Sequence, residues 1–538
     1  MRKIESLFIT ISLFTVIAVT GGLVWHSVRQ PKQQDSYEFV ATKYGAFLAA
    51  QHAIYTNDFN TAAQLTQNLR DVQYPIVQNT VYISDFLSGH MPQDVKLLKN
   101  EKSMPAHLIY DAYLVQNDEW KELYKRHKND ESALTAPLRI WSGVANDFHT
   151  NTLQFIEKLP THDSWKAFIR GQIYAEQGDI NKAAENFQAV SPDFMNINDY
   201  LYVMSFFVHH NMPDAAEKLY GDFTSRPGGM FMINYKSVPD WSVYSGYKNQ
   251  LAFSLVQNVS HTQIMMYSDL AILLLRFAQI TAPQFAQSND AIEYYLGNYY
   301  WNNTGDYNAH FKNIKSDSPF YLFALLRNAE KTGDIEALQN ATKKHPLFVP
   351  AVNKLVGHNI QHGKKRAAIR VIDRALKEEK LTDTGRAFFI KSRAQINFAF
   401  GDLNAAQKDI RKASEALLMD PEILSLQAKI WAKQNRELDN AYEYAMNLVR
   451  YNPSDILAWD TLGVVIAQRE GLDAALEVLE RVGEVSETCS SLFENLGDIY
   501  AAKGELDKAL DSYARAIELS DDGLTVVPQL ERKIRNIK

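Results

Sequence analysis

The residues of this 538-residue chain whose types and spacing could do chemistry are few, and the first are two histidines in "GHNIQHG". On a helix His358 and His362 share one face, as do the two zinc ligands of a metalloprotease helix. That chemistry needs a glutamate directly after the first histidine to act as general base, and Asn359 stands there instead. The spacing therefore predicts no metal site. His209 and His210 close an apolar helical stretch, where an imidazole simply meets terminal carbonyls. The run "GKKRAAIRVIDRALKEEK" gathers Lys364, Lys365, Arg366, Arg370 and Arg374 on a helix pair. It reads as a solvated face; in a site, such guanidinium groups would grip carboxylate or phosphate. No phosphate-binding glycine loop, Gly-x-Ser-x-Gly or dinucleotide fingerprint is present. The reading is of a non-enzyme, with no cofactor, metal or small-molecule ligand implied.

Composition narrows the class further. A formal charge of −7 argues against nucleic acid, because displacing counterions from phosphates takes clustered Lys and Arg. With one cysteine, Cys489, neither an intrachain disulfide nor a Cys-x-x-Cys zinc clip can form, so Cys489 reads as a small buried residue. Seventeen Pro and 24 Gly are too few for a long unfolded chain.

Positioning begins at the N-terminus. A short basic start, 1–6, precedes "LFITISLFTVIAVTGGLVW", nineteen residues without a charge from Leu7 to Trp25. At 1.5 Å per residue this helix is roughly 28 Å long, close to a bilayer's hydrocarbon core. It is expected to be a transmembrane signal anchor over 7–25, followed by a polar tether, 26–40. The alternative is a cleaved signal peptide ending near Gly21. Either way the remainder is expected outside the cytoplasmic membrane, in a bacterial periplasm. The later run "LAILLL", 270–275, is too short to span and reads as a buried helix.

The rest of the chain repeats. Sliding "LFENLGDIYAAKGELDKALDSYARAIEL" back by 34 residues puts Trp459 on Phe493, Leu462 on Leu496, Gly463 on Gly497, Ile466 on Tyr500, Ala475 on Ala509 and Leu479 on Tyr513. Small residues mark where two antiparallel helices cross, and large ones fill the space between neighbouring pairs. Upstream, Ala368, Ala406, Ala441, Ala475 and Ala509 are spaced 38, 35, 34 and 34. Weaker copies keep Gly171, Ala183 and Phe187, then Ala216 and Tyr220, then Leu296, Gly297 and Tyr300; the first pairs Ala50 with Ala62. About fourteen helix pairs fit this length.

This pattern closely resembles the tetratricopeptide repeat. The resemblance implies an all-α fold: a right-handed superhelical solenoid of tetratricopeptide-type helix pairs, preceded by the one N-terminal transmembrane helix. Its packing residues are Trp459, Leu462, Gly463, Ala475, Phe493, Leu496, Gly497, Tyr500, Ala509, Tyr513 and Ala516. The expected organisation is degenerate N-terminal repeats over 41–224, an irregular connector over 225–247, degenerate middle repeats over 248–350, C-terminal repeats over 351–520 and a terminal capping helix over 521–538. The connector's Met230, Phe231, Tyr235, Trp241 and Tyr244 belong either to a docked linker or to a binding loop.

Anchor and repeats together look like the membrane-anchored tetratricopeptide proteins common in alphaproteobacteria. What this implies is a membrane-tethered scaffold of the cell envelope that takes a segment of a protein partner in its concave face. The alternative is a subunit, catalytic or not, of envelope polysaccharide or peptidoglycan assembly machinery.

Overall fold

The computed structural model describes residues 42–537, apart from 131, 133, 225–237, 262–268, 304–305, 380, 486–487 and 521–522. The expected anchor at 7–25, its flanks at 1–6 and 26–40, and most of the connector lie outside the described residues. Among the described residues there are only helices and their turns, and no helix is long and apolar enough to cross a membrane.

One local device makes most of the hairpins. The first helix ends on a residue of left-handed conformation; Asn57, Asp118, Asp147 and Asn211 hold that place, with φ between 54° and 62°, and short polar residues tolerate it best after glycine. Where an aspartate follows, its carboxylate accepts from the opening turn of the second helix, Asp58 from Thr61 N (3.1 Å) and Asp402 from Ala405 N (3.2 Å). The backbone N–H that follows the turn closes back onto the first helix, Asp402 N to Asn397 O at 2.8 Å and Glu505 N to Tyr500 O at 2.9 Å. Carbonyls that the helix end would orphan are thereby satisfied.

Six hairpins build an N-terminal array. They are α1 (Lys43–Tyr55) with α2 (Phe59–Thr66), α3 (Pro75–Leu87) with a short 3-10 return at Val95–Asn100, α4 (Met104–Gln116) with α5 (Trp120–His127), α6 (Ala136–Ala145) with α7 (His149–Lys158), α8 (Asp163–Glu176) with α9 (Ile180–Gln188), and α10 (Ile197–His209) with α11 (Pro213–Thr224).

The next two helices, α12 (Tyr247–His261) and α13 (Asp269–Thr281), do not extend this stack but lie along its inner wall. α12 meets three successive first helices: Trp141 Nε1 donates to Ser254 Oγ (2.9 Å), Gln172 Nε2 and Tyr202 OH both donate to Gln250 Oε1 (3.2 and 2.8 Å), and Gln257 Nε2 donates to Asp199 Oδ1 (2.8 Å). α13 reaches back to α3, where Arg276 Nε donates to the Leu87 carbonyl at 2.8 Å. Every residue from 250 to 257 is buried, as are residues 271–278. A helix buried on all faces belongs in a core and cannot form the water-facing end of a stack. After α14 (Pro283–Ser288), α15 (Asp290–Asn302) meets the first hairpin, with Tyr299 OH donating to Asn57 Oδ1 at 2.8 Å and the Tyr300 ring edge-on to Phe59. The expected middle repeats over 248–350 are thus corrected for their first part: residues 247–281 fill the N-terminal array, whereas α15 keeps the repeat crossing, with Gly297 facing Phe311. Trp241 and Tyr244 of the connector are likewise buried, both against Tyr202.

Beyond the short α16 (Asn308–Phe311), stacking resumes. The pairs are α17 (Pro319–Thr332) with α18 (Ile335–Lys344), α19 (Val349–Gln361) with α20 (Lys365–Ala375), α21 (Asp383–Ala399) with α22 (Leu403–Ala413), α23 (Pro421–Lys433) with α24 (Leu438–Tyr451), α25 (Ile456–Arg469) with α26 (Leu472–Val485), and α27 (Ser490–Lys503) with α28 (Leu506–Glu518). Ala368, Ala406, Ala441, Ala475 and Ala509 are each 0% exposed. The last helix, α29 (Val527–Ile537), is a first helix without a second: its buried Leu530 stands 34 residues after Leu496, itself 34 after Leu462.

The ends of this C-terminal array touch. Gln361 Nε2 donates to Ser520 Oγ at 3.0 Å, and Gly357 approaches Gly523 so closely that a Cβ on Gly357 would sit 3.0 Å from the Gly523 Cα. Val526 is buried in the same apolar cluster as Val352 and Ile360 of α19. Five helix pairs, α19–α20 to α27–α28, lie along the chain between Val349 and Glu518, and the first of them meets the segment that follows the last.

Candidate partner-binding surface

The eleven residues singled out from the repeat pattern hold the last two pairs together. Gly463 faces Leu479, and Gly497 faces the Tyr513 ring, whose Cε1 would lie 2.5 Å from a Cβ added there. Ala475, Ala509 and Ala516 are 0% exposed, and Leu462, Leu496, Tyr500 and Tyr513 are buried. Trp459 and Phe493 are half-buried; Trp459 Nε1 donates to the Pro453 carbonyl at 2.9 Å. Burial and the Glu480 carboxylate raise the Tyr500 phenol above its usual range, and burial with Asp498 does the same for Tyr513. Both hydroxyls stay protonated and donate, Tyr500 to Glu480 at 2.5 Å and Tyr513 to Asp498 at 2.8 Å. These residues are structural and offer little to a partner.

The surface a partner could use is set by which helices face each other. From α21 to α27 of the C-terminal array each first helix packs against the next first helix, α21 on α23, α23 on α25 and α25 on α27, whereas the second helices make no comparable contact among themselves. The first helices therefore form the tighter, inner wall. A polar ladder runs along it. Lys391 Nζ sits between Asp420 (2.8 Å) and Glu422 (2.9 Å); Gln395 Nε2 donates to Glu422 (3.3 Å); Lys429 Nζ binds Asp460 (2.7 Å). Asp460, wholly buried, also accepts from Ser491 Oγ (2.8 Å) and Asn495 Nδ2 (2.7 Å). Burial opposes the charge of Lys391, but the two carboxylates outweigh it and raise its pKa. Lys533 of α29 continues the ladder onto Glu494 and Asp498 (2.9 and 2.6 Å). Beside these rungs the wall leaves Lys433, Leu457 and Gln468 exposed, and Glu422, although paired, is exposed as well. Sequence comparison of the repeats had pointed to the packing residues alone; Lys429, Asp460 and Asn495, at near-repeat spacings of 31 and 35, were the available signal for the ladder.

In the N-terminal array the first helices α4, α6, α8 and α10 face α12 and α13. Asp199 there receives Gln257, and His261 Nε2 lies 2.5 Å from its other oxygen.

The residues with chemical potential do not converge. His358 and His362 have ring centroids 4.1 Å apart, yet His362 Nδ1 lies 2.8 Å from the His358 carbonyl, and among the described residues no group of three or more His, Cys, Asp or Glu is placed to hold a metal. Burial, with His362 and Lys364 nearby, lowers the His358 pKa. His209 and His210 meet edge to face; burial lowers His210, which packs on Phe206 and Trp241. In the basic run Lys365 pairs with Asp402 at 3.0 Å, while Lys364, Arg366 and Arg370 are exposed, as a solvated face requires. Cys489 is buried at the N-cap of α27, and burial raises its thiol pKa.

Stacked antiparallel pairs with small residues at the crossing define an all-helical repeat fold. Residues 490–522, the α27–α28 pair, match the family model of the tetratricopeptide repeat. No curated protein matches the chain. Among solved structures it is similar to the APC/C hetero-tetramer Cut9–Hcn1, at 12% identity and a TM-score of 0.32 over 91% of this chain and 96% of that one. It is also similar to yeast Tom70, at 10% identity and a TM-score of 0.27 over 92% and 95%. No enzyme family is indicated.

Proposed function

We propose that the protein is a membrane-tethered interaction scaffold of the bacterial cell envelope, anchored through residues 7–25, with its repeats on the periplasmic side. The observation that carries the interaction reading is the contrast between the two arrays: the first-helix wall of 43–224 is filled by the chain's own α12 and α13, while that of 383–503 keeps Glu422, Lys433, Leu457 and Gln468 exposed. A partner segment docks along the C-terminal wall, where charged and polar side chains and Leu457 are exposed, and the tether raises its local concentration at the membrane.

The test is photocrosslinking in cells from single positions of the full chain. Gln395, Lys433 and Gln468 sample the inner wall; exposed Lys408 and Glu443 sample α22 and α24 on the outside. A shared adduct from the inner positions, absent from the outer ones, is the expected result. Adducts equally frequent from both sets, or confined to the outer set, would sink this reading. Fractionation with the membrane, resistant to high salt, tests the anchor separately.

A further inference from the structure

The edge of the N-terminal array from which residues 1–41 depart carries an unusual set of side chains. Chain direction alternates from α1 through α2 to α3, and from α3 through the Val95–Asn100 return to α4, so the N-termini of α1, α3 and α4 share one edge. On that edge Tyr44 is 69% exposed, Tyr74 71%, Ile76 62% and Met104 44%. Basic residues flank them: Lys43 pairs with Asp71, while Lys96 and Lys102 are exposed and have no ion pair among the described residues. These four large apolar or aromatic side chains cap three consecutive first helices, and among the described residues nothing covers them.

We propose that this edge rests on the lipid surface of the membrane, with the tyrosines, Ile76 and Met104 at headgroup depth and the lysines against anionic headgroups. This rests on the reading of residues 7–25 as an anchor. The chain leaves the described structure at Thr42, beside Tyr44, and residues 26–41, even fully extended, reach at most about 55 Å. In an anchored array the point where the tether joins the fold lies on this edge, within that reach of the bilayer. Tyrosine suits the interface because its ring is apolar and its hydroxyl stays wet, and lysines add attraction to anionic lipid within a Debye length. A protein occupant would also cover apolar side chains. The lysines beside a bilayer-bound chain favour lipid.

The full-length chain, in a Cys489→Ser background, is labelled with an environment-sensitive fluorophore at Tyr74→Cys, Met104→Cys or, as a distant control, Lys408→Cys. It is reconstituted into phosphatidylcholine–phosphatidylglycerol vesicles whose phosphatidylcholine is brominated on its acyl chains. Serine is a favourable N-cap, so the background change at position 489 keeps the fold. The expected result is that the labels at 74 and 104 lose most of their fluorescence to the brominated lipid and the label at 408 loses none. In the Lys43→Gln/Lys96→Gln/Lys102→Gln variant, or with phosphatidylcholine alone, that loss shrinks. Vesicle-bound chain with all three labels unquenched overturns the contact and leaves the anchor standing. Chain that fails to float with vesicles overturns both. A blue shift at 74 and 104 without quenching identifies a protein occupant, including a second copy, and equal quenching at all three positions shows a chain lying flat; each also overturns the proposal.

Discussion

At Gly497 and Gly504 the same residue type serves two unrelated purposes, and substitution separates them. Gly497 lies inside α27 with no unusual backbone requirement, but a methyl there would press on the buried Tyr513 ring. Gly497→Ala is expected to cost roughly 1 to 3 kcal/mol by overpacking despite alanine's better helix propensity. Gly504 has open space around it and a φ of +80°, so Gly504→Ala strains only the backbone, by about 1 to 2 kcal/mol, and Gly504→Asn by less. Urea denaturation of the four proteins checks the order; Gly497→Ala as stable as wild type, or Gly504→Asn less stable than Gly504→Ala, would contradict it. His261 makes a pH-dependent contribution. Burial would lower its pKa, but the Asp199 carboxylate outweighs this and raises it above 6.5. The folded state thus holds this proton more tightly, so the stabilisation is full below about pH 6.5 and is lost as pH rises through the raised value. The melting-temperature advantage of wild type over His261→Gln should therefore shrink from pH 6 to pH 9. Taking this difference removes His210, His345 and His358, whose lowered pKa values act in the opposite direction.

At the scale of elements, α12 is where the N-terminal array departs from an ordinary repeat stack. In a stack whose units touch only their neighbours, damage stays local. Here Phe253 packs on Phe168 of α8, Tyr202 of α10 and Tyr244 of the connector, and Ser254 accepts from Trp141 of α6, so one helix joins three successive units of the stack. Phe253→Ala should cost about 3 to 5 kcal/mol, and hydrogen exchange should speed up together in α6, α8 and α10. Loss of protection confined to α12 would show that the array stands without it. The repeat hairpins were legible because their causes are local: the crossing alanines, the Asn-Asp and Gly-Asp turns and the 34-residue step are written in each unit. The position of α12 was not, because nothing in "QLAFSLVQNV" tells a helix that ends a stack from one that lies along it. Its polar Gln250, Ser254 and Gln257 even mimic a wet face, although each meets a buried partner. The one sequence trace was "LAILLL" in α13, five of whose six residues are buried. The candidate wall was less legible still, since its ladder residues vary in type from pair to pair and are joined only by the stacking.

Over the whole molecule, the contact of Gly357 with Gly523 turns an open C-terminal array into a closed turn. Gly357 lies in α19 with ordinary helical geometry, so a larger residue there is tolerated by the helix itself but not by the backbone facing it. Gly357→Val should force the ends apart and raise the radius of gyration measured by small-angle scattering, with helix content unchanged; an identical scattering curve would place the closure elsewhere. The filled N-terminal array has a consequence in time as well as in space. The ribosome delivers residues 43–224 first, and the two helices that cover their inner wall are encoded only from position 247 onward. At about 5 to 20 residues per second, the apolar wall of the nascent chain stays uncovered for some seconds after it could first collapse. On every round of synthesis, therefore, the first helices of the N-terminal array exist for an interval without the two helices that cover them in the folded chain.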